Sequence, residues 1–157
     1  MWHGGPVPGW WYHLTPLLAE ADAGPYRFGC ATFGLSHGIA GPLALLALTW
    51  RDGFRVPGQD DAASEMARWL LHWRSRDEWG WYWPAQMPLS HYRNRSVDRP
   101  DPARVSWCHG SWGPAHAVAL AGTAFGRPDW TAAAAARSGW GMLQPNRHSW
   151  CSTAAQP

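Results

Sequence analysis

With 157 residues, 15% of them charged and a formal net charge of +2 at pH 7, the chain suits one domain or part of one and shows no charge excess that would favour nucleic acid or an anionic membrane. An apolar fraction of 46% fits a packed core, and the three cysteines, Cys30, Cys108 and Cys151, do not make a disulfide framework. The N-terminal MWHGGPVPGWW lacks the charged and apolar regions of a signal peptide, and the longest apolar run, Ile39 to Thr49, is too short to span a bilayer. A cytoplasmic protein without a membrane span is the expectation. Composition is distinctive in other ways: there are 14 tryptophans, 17 glycines and 14 prolines, and all 13 cations are arginine.

Residues 1–34 are rich in Gly, Pro and aromatics and carry no period; only TPLLAEAD, 15–22, suggests a helical turn or two. The first clear helix is expected over 34–51, entered through a glycine turn, with Pro42 in its first turn where a missing N–H does no harm. Leu43, Leu46 and Trp50 share one face and Leu45 and Leu48 lie beside it, which implies burial on most sides. RDGFRVPGQ, 51–59, is a turn. Asp60 or Asp61 is expected to cap a second helix to about Ser75, with Met66, Trp69, Leu70 and Trp73 as its amphipathic stripe. WGWYWPAQMPLS and an Arg- and Pro-rich loop lead to a third helix from Pro114 to about Phe125, ended by Gly126. Asp129 is expected to cap a fourth from Trp130 to Arg137. Strand signals are thin, so the class reads as all-α, built of antiparallel helix hairpins joined by long loops.

The chain repeats itself. HGIAGPLALLAL, from His37, aligns without gaps over HGSWGPAHAVAL, from His109, at an offset of 72 residues. A repeated helical unit suggests a solenoid or closed toroid, because a single hairpin cannot bury its own apolar face. Each HGxxGP puts a His or Cys at the start of a helix, with glycines that allow a tight turn. The positive helix start favours a thiolate at Cys108. In a toroid equivalent helix starts converge on one pole, so His37 and Cys108 are expected to meet there.

These residues carry a resemblance. GLSHGIAGPLALLAL, then PGQ, a WLLxW helix, WYWP, and RVSWCHGSWGPAHAVALAGTAFG resemble the lanthionine synthetase C-like cyclases over roughly residues 6–135. The resemblance implies an α/α toroid, a catalytic zinc held by Cys, Cys and His, and closure of thioether rings by addition of peptide cysteine thiols to dehydroalanine or dehydrobutyrine. It implies an acid/base role for His37, an active-site role for Arg104, and zinc ligation by Cys108. His109 stands where the family usually has Tyr. A downstream Cys-His-Gly that should supply two further ligands is replaced by SWCSTAAQP, so Cys151 is the second metal candidate, and Ser152 stands in place of the His. Partners implied are a dehydrated precursor peptide and a dehydratase.

The expected organisation is an irregular lead-in over 1–34, helical repeats over 35–137, and an irregular tail over 138–157 of the kind a frameshift or gene fragment leaves. The toroid is therefore expected to be partial, incomplete at both ends, and inactive alone, because two ligands rarely make a catalytic zinc site. Two rival readings stand beside the cyclase: a peptide-binding remnant without metal, and a carbohydrate-active α/α toroid that would use the WGWYW aromatics. Helix packing is the commoner use of such tryptophans. Cys30 is expected to be structural, and His116, aligned with Ala44, to lie on a surface or in packing.

Overall fold

The computed structural model describes residues 6–13, 24–77, 80–94, 108 and 110–135. After a short 3-10 turn, Gly24–Tyr26, the chain enters β1 (Cys30–Thr32), then α1 (Ala40–Arg51) and α2 (Gln59–His72). Three short strands follow, β2 (Ser75–Asp77), β3 (Gly80–Tyr82) and β4 (Gln86–Pro88), then a short α3 (Leu89–Asn94). The last two described elements are α4 (Trp112–Ala124) and α5 (Pro128–Ala135). The molecule is mainly helical, as expected, but two small ladders qualify the all-α reading. β1 pairs antiparallel with β4, and β2 with β3. Short aromatic and Gly/Pro segments such as GWY pair because they are bounded by turns and anchored at both ends, a context that periodicity does not report.

The helix starts follow local chemistry. α1 begins at Ala40, later than expected, because the residues after β1 form a closed turn: the Ile39 amide donates to the Thr32 carbonyl at 3.2 Å. Neither α1 nor α4 has a side-chain cap; Ile39 and Ser111 at their starts are already helical in conformation. The α2 cap position is Gly58 (φ 79°), not Asp60 or Asp61, and Asp60 instead pairs with Arg127 at 3.3 Å. α5 starts at Pro128, whose fixed φ and missing N–H suit a first helical position.

α1 and α2 form an antiparallel hairpin. At its turn the buried Gln59 acts as a polar staple: its Nε2 donates to the Leu46 carbonyl at 3.1 Å and to Thr49 Oγ1 at 3.0 Å, and its Oε1 accepts from the Val56 amide at 3.1 Å. At the other end Phe33, just before α1, stacks on Trp69 in the last turn of α2 at 4.9 Å. The expected stripe is realised, with Leu70 and Trp73 buried and Met66 and Trp69 packed beside them. The core joins these to Phe33, Leu43, Ala47, Trp83, Met87, Val118 and Trp130. The N-terminal segment docks on the same body: Tyr12 and Cys30 exchange two 2.9 Å backbone hydrogen bonds, and Trp11 Nε1 donates to the Phe28 carbonyl.

One expectation is overturned. α1 is not buried on most sides: Ala40, Leu43 and Ala47 are buried, but Leu45 is 61% exposed and Leu48 37%. The described residues place no element on that stripe.

Two substitutions test this packing. A Cβ on Gly38 would lie 2.5 Å from the Thr32 carbonyl oxygen and 2.6 Å from the Gly34 nitrogen, both backbone atoms. Gly38→Ala is therefore expected to lower stability by about 2 kcal/mol or more in thermal or urea unfolding. Trp83 Nε1 donates to the Leu70 carbonyl at 2.7 Å, whereas Trp69 Nε1 is buried with no hydrogen-bond partner. Trp83→Phe should then destabilise by about 1–3 kcal/mol more than Trp69→Phe, because only the first leaves a buried carbonyl unpaired.

Candidate functional site

The site is built from the two duplicated helix entrances, and hydrogen bonds fix their relative placement. Trp83 joins the end of α2 to the start of α4. Its indole reaches Leu70, while its own amide donates to Ser111 Oγ at 3.0 Å and its carbonyl accepts from that hydroxyl at 3.2 Å. Because α1 and α2 are antiparallel, the end of α2 lies where α1 begins. The starts of α1 and α4 therefore share one end of the molecule. At the opposite end Trp50, in the last turn of α1, contacts Phe125 just after α4, with ring centroids 4.7 Å apart. α1 and α4 are thus parallel and packed together.

The second hairpin, α4 with α5, repeats the arrangement. Arg127 meets Asp60 where α5 and α2 begin, and Arg74 Nη1 donates to the Ala133 carbonyl at 3.3 Å where they end. Gly122 in α4 lets α5 approach closely: a Cβ there would stand 2.7 Å from the Thr131 nitrogen and 2.9 Å from the Arg127 carbonyl oxygen. α1 and α4 start 72 residues apart, the same offset as the sequence repeat.

His37 sits on the turn into α1, exposed, three residues before the helix. Thr32 holds it on both sides. The Thr32 hydroxyl donates to the His37 carbonyl, and the Thr32 carbonyl lies under Gly38. Cys108 is half-buried, four residues before α4. Cys30 differs: it is buried in β1, and burial pushes its thiol above the ordinary value. Arg104, His109 and Cys151 lie outside the described residues.

Among the described residues no three His, Cys, Asp or Glu side chains come together as a metal site. Of the expected zinc donors only Cys108 is among them. A cysteine sulfur is a donor that zinc takes, but the described residues do not themselves complete a zinc site.

Ser111 and Trp83 are the positioning residues that sequence reasoning missed. Ser111 is the variable position of HGSWGP, matched by Ile39 in the first copy, so the repeat hid its polarity. Trp83 is fully buried, which leaves no indole face for a sugar. Trp81 is half-buried instead and packed under the guanidinium of Arg74, 4.1 Å from its ring centroid. His116 is exposed, as expected. A groove of about 480 Å³ between α4 and α5 is lined by Gly122, Thr123, Gly126, Pro128, Thr131 and Ala132, none of them ionisable.

Comparison with known proteins identifies the lineage. The family model described as lanthionine synthetase C-like protein matches residues 18–151, and the chain belongs to that family. A solved structure of nisin cyclase is similar, with a TM-score of 0.60 at 19% identity over 70% of this chain and 28% of that one. At that identity the likeness speaks for the fold. The chain spans about 28% of the length of that protein. No curated protein matches by sequence. Among the described residues no helix is long and apolar enough to cross a membrane.

Two outcomes are expected. Ser111→Ala leaves the buried Trp83 amide without its acceptor and should cost about 1–3 kcal/mol of stability in chemical denaturation. Alkylation at neutral pH followed by peptide mapping should modify Cys108 well before Cys30, because the raised pKa of Cys30 keeps it a thiol until more alkaline pH and its burial denies access.

Proposed function

We propose that this chain carries the His37 and Cys108 portion of a peptide thioether cyclase, its fold a partial arc of an α/α toroid. Membership of the lanthionine synthetase C-like family supports the chemistry. The observation that carries it to particular residues is the parallel packing of α1 and α4, whose duplicated entrances share one end of the molecule. The substrate class is a dehydrated precursor peptide. The thiol of a peptide cysteine adds across the double bond of a dehydroalanine or dehydrobutyrine. A sulfur–carbon bond forms at the β-carbon, and the proton lost from sulfur is balanced by one gained at the α-carbon.

An unassisted thiol, with a pKa of about 8.5, is mostly protonated near neutrality and a weak nucleophile. Zinc held by Cys108 and Cys151 with a third donor would supply the acidity that turns a bound thiol into a thiolate. His37, exposed on a turn held by Thr32, would give the proton that the α-carbon gains. Arg104 would stabilise the charge that develops on the neighbouring carbonyl. The Gly38 contact holds the His37 backbone to one path, which pre-organises the donor.

The second reading, a peptide binder without metal, rests on the sequence: Ser152 stands where the resemblance implies a zinc-binding His. One experiment separates the two. Ring closure leaves mass unchanged, so unreacted thiols of a dehydrated test peptide are counted by alkylation and mass spectrometry, with zinc supplied. The cyclase reading expects zinc that is lost in Cys108→Ala and kept in His37→Asn, and any residual thiol loss, slow because the toroid is partial, to fall at least about tenfold in both variants. A wild-type chain that binds the peptide, holds no zinc and consumes no thiol supports the binder.

A further inference from the structure

His37 lies in a turn between β1 and α1, exposed, with glycines at 34 and 38. Such a turn has many backbone paths open to it unless something holds it. Thr32 grips it at two points. Its hydroxyl donates to the His37 carbonyl, and its carbonyl accepts the Ile39 amide at 3.2 Å. These bonds fall on the two peptide groups that flank Gly38, the residue with the most freedom to turn. The first of those groups also meets the Cα of His37, so its orientation helps to set the direction in which the imidazole leaves the chain. The Thr32 hydroxyl is thus bonded to the backbone of the residue to which the cyclase reading gives the proton transfer.

Thr32 is itself well anchored. It is the last residue of β1, opposite Gln86 of β4, and the next pair of that ladder, Ala31 with Met87, is buried. Its β-branched side chain has few rotamers to choose from. β4 begins three residues after Trp83, whose amide and carbonyl bond Ser111 at the start of α4. One short run of chain, from Trp83 to Gln86, therefore meets the second helix entrance at one end and the holder of the first at the other. We infer that Thr32 is the positioning residue of His37: its hydroxyl, fixed by the β1–β4 ladder, holds the turn that presents the imidazole to the substrate. This rests on the cyclase reading for what the imidazole does, but the hold itself is a property of the turn. Valine keeps the branched shape of Thr32 and cannot donate, whereas serine keeps the donor.

Two measurements on the full chain test this. The first is native-state amide exchange. In Thr32→Val the Ile39 amide is expected to exchange about tenfold faster, with the Leu70 amide of the core unchanged, and Thr32→Ser should return Ile39 to near the wild-type rate. Unchanged Ile39 exchange in the valine variant overturns the inference. So does a serine variant that behaves like valine, or a rise at Leu70 as large as at Ile39, which marks Thr32 as a residue of general stability. The second is thiol loss from the dehydrated test peptide, with zinc supplied. Thr32→Val should lower kcat about three- to tenfold, leave KM and zinc content unchanged, and recover with serine. In a His37→Asn background the same change should cost nothing further, because the group it positions is gone. An equal fall in both backgrounds overturns the inference, as does a valine variant as fast as the wild type. A wild type that consumes no thiol fails the cyclase reading instead, and Ile39 exchange then decides by itself whether Thr32 holds the His37 turn.

Discussion

The arrangement depends on one buried residue, Trp83, and the three hydrogen bonds it makes. Its indole N–H ends on the Leu70 carbonyl at the close of α2, and its amide and carbonyl close on Ser111 Oγ at the opening of α4. A buried backbone amide and carbonyl must find partners or carry a desolvation penalty. One side chain meets that need by joining two helix ends that are distant in sequence. Without this clamp the second hairpin could pack on the first in another register. With it, α4 lies parallel to α1, and the two duplicated glycine turns face the same way.

The opposite end of the hairpin follows the same rule of satisfied burial, although the indole N–H groups of Trp10 and Trp69 are buried without partners. Gln59 fills the analogous role at the opposite end, bonding Val56, Leu46 and Thr49 so that the α1–α2 turn buries an amide side chain without an orphan. Close backbone approach replaces side-chain packing at Gly38 and Gly122, where a single added carbon would collide with main chain. Aromatic rings then fill the space between elements: Phe33 on Trp69, Trp10 edge-on to Trp69, Trp11 beside Tyr92. Both helix entrances open at one end of this frame, and the frame determines which side chains share that end.

Much of the frame was legible in the sequence. The stripe of Met66, Trp69, Leu70 and Trp73 named the inner face of α2, because neighbours three and four apart share a helix face. The HGxxGP repeat marked both helix starts, with α4 beginning two residues before the expected Pro114 and α1 six residues after the expected Gly34, and Gly126, at φ 65°, ends α4 as expected. Other features escaped. The apolar run of α1 suggested burial all round, yet Leu45 and Leu48 are exposed, because burial depends on what packs against a stripe and not on the stripe alone. The acidic pair at 60–61 suggested a cap, but Gly58 supplies the helix entry, so Asp60 is left to meet Arg127. Of the four site residues singled out, His37 and Cys108 fall at the shared end, and Arg104 and Cys151 lie outside the described residues.

The sequence by itself determined what short-range chemistry controls: where helices start, where glycines bend the chain, which faces are apolar, that one unit occurs twice, and which family its motifs belong to. The tertiary structure alone decided that the two units run parallel, that Trp83 and Ser111 join them, and which stripes remain open. The physical reason is range. Turn and helix signals act between residues a few positions apart, while the Trp83–Ser111 and Arg127–Asp60 contacts join positions 28 and 67 apart. Partners at that separation are chosen by the path of the folded chain, and no local pattern of residues specifies that path.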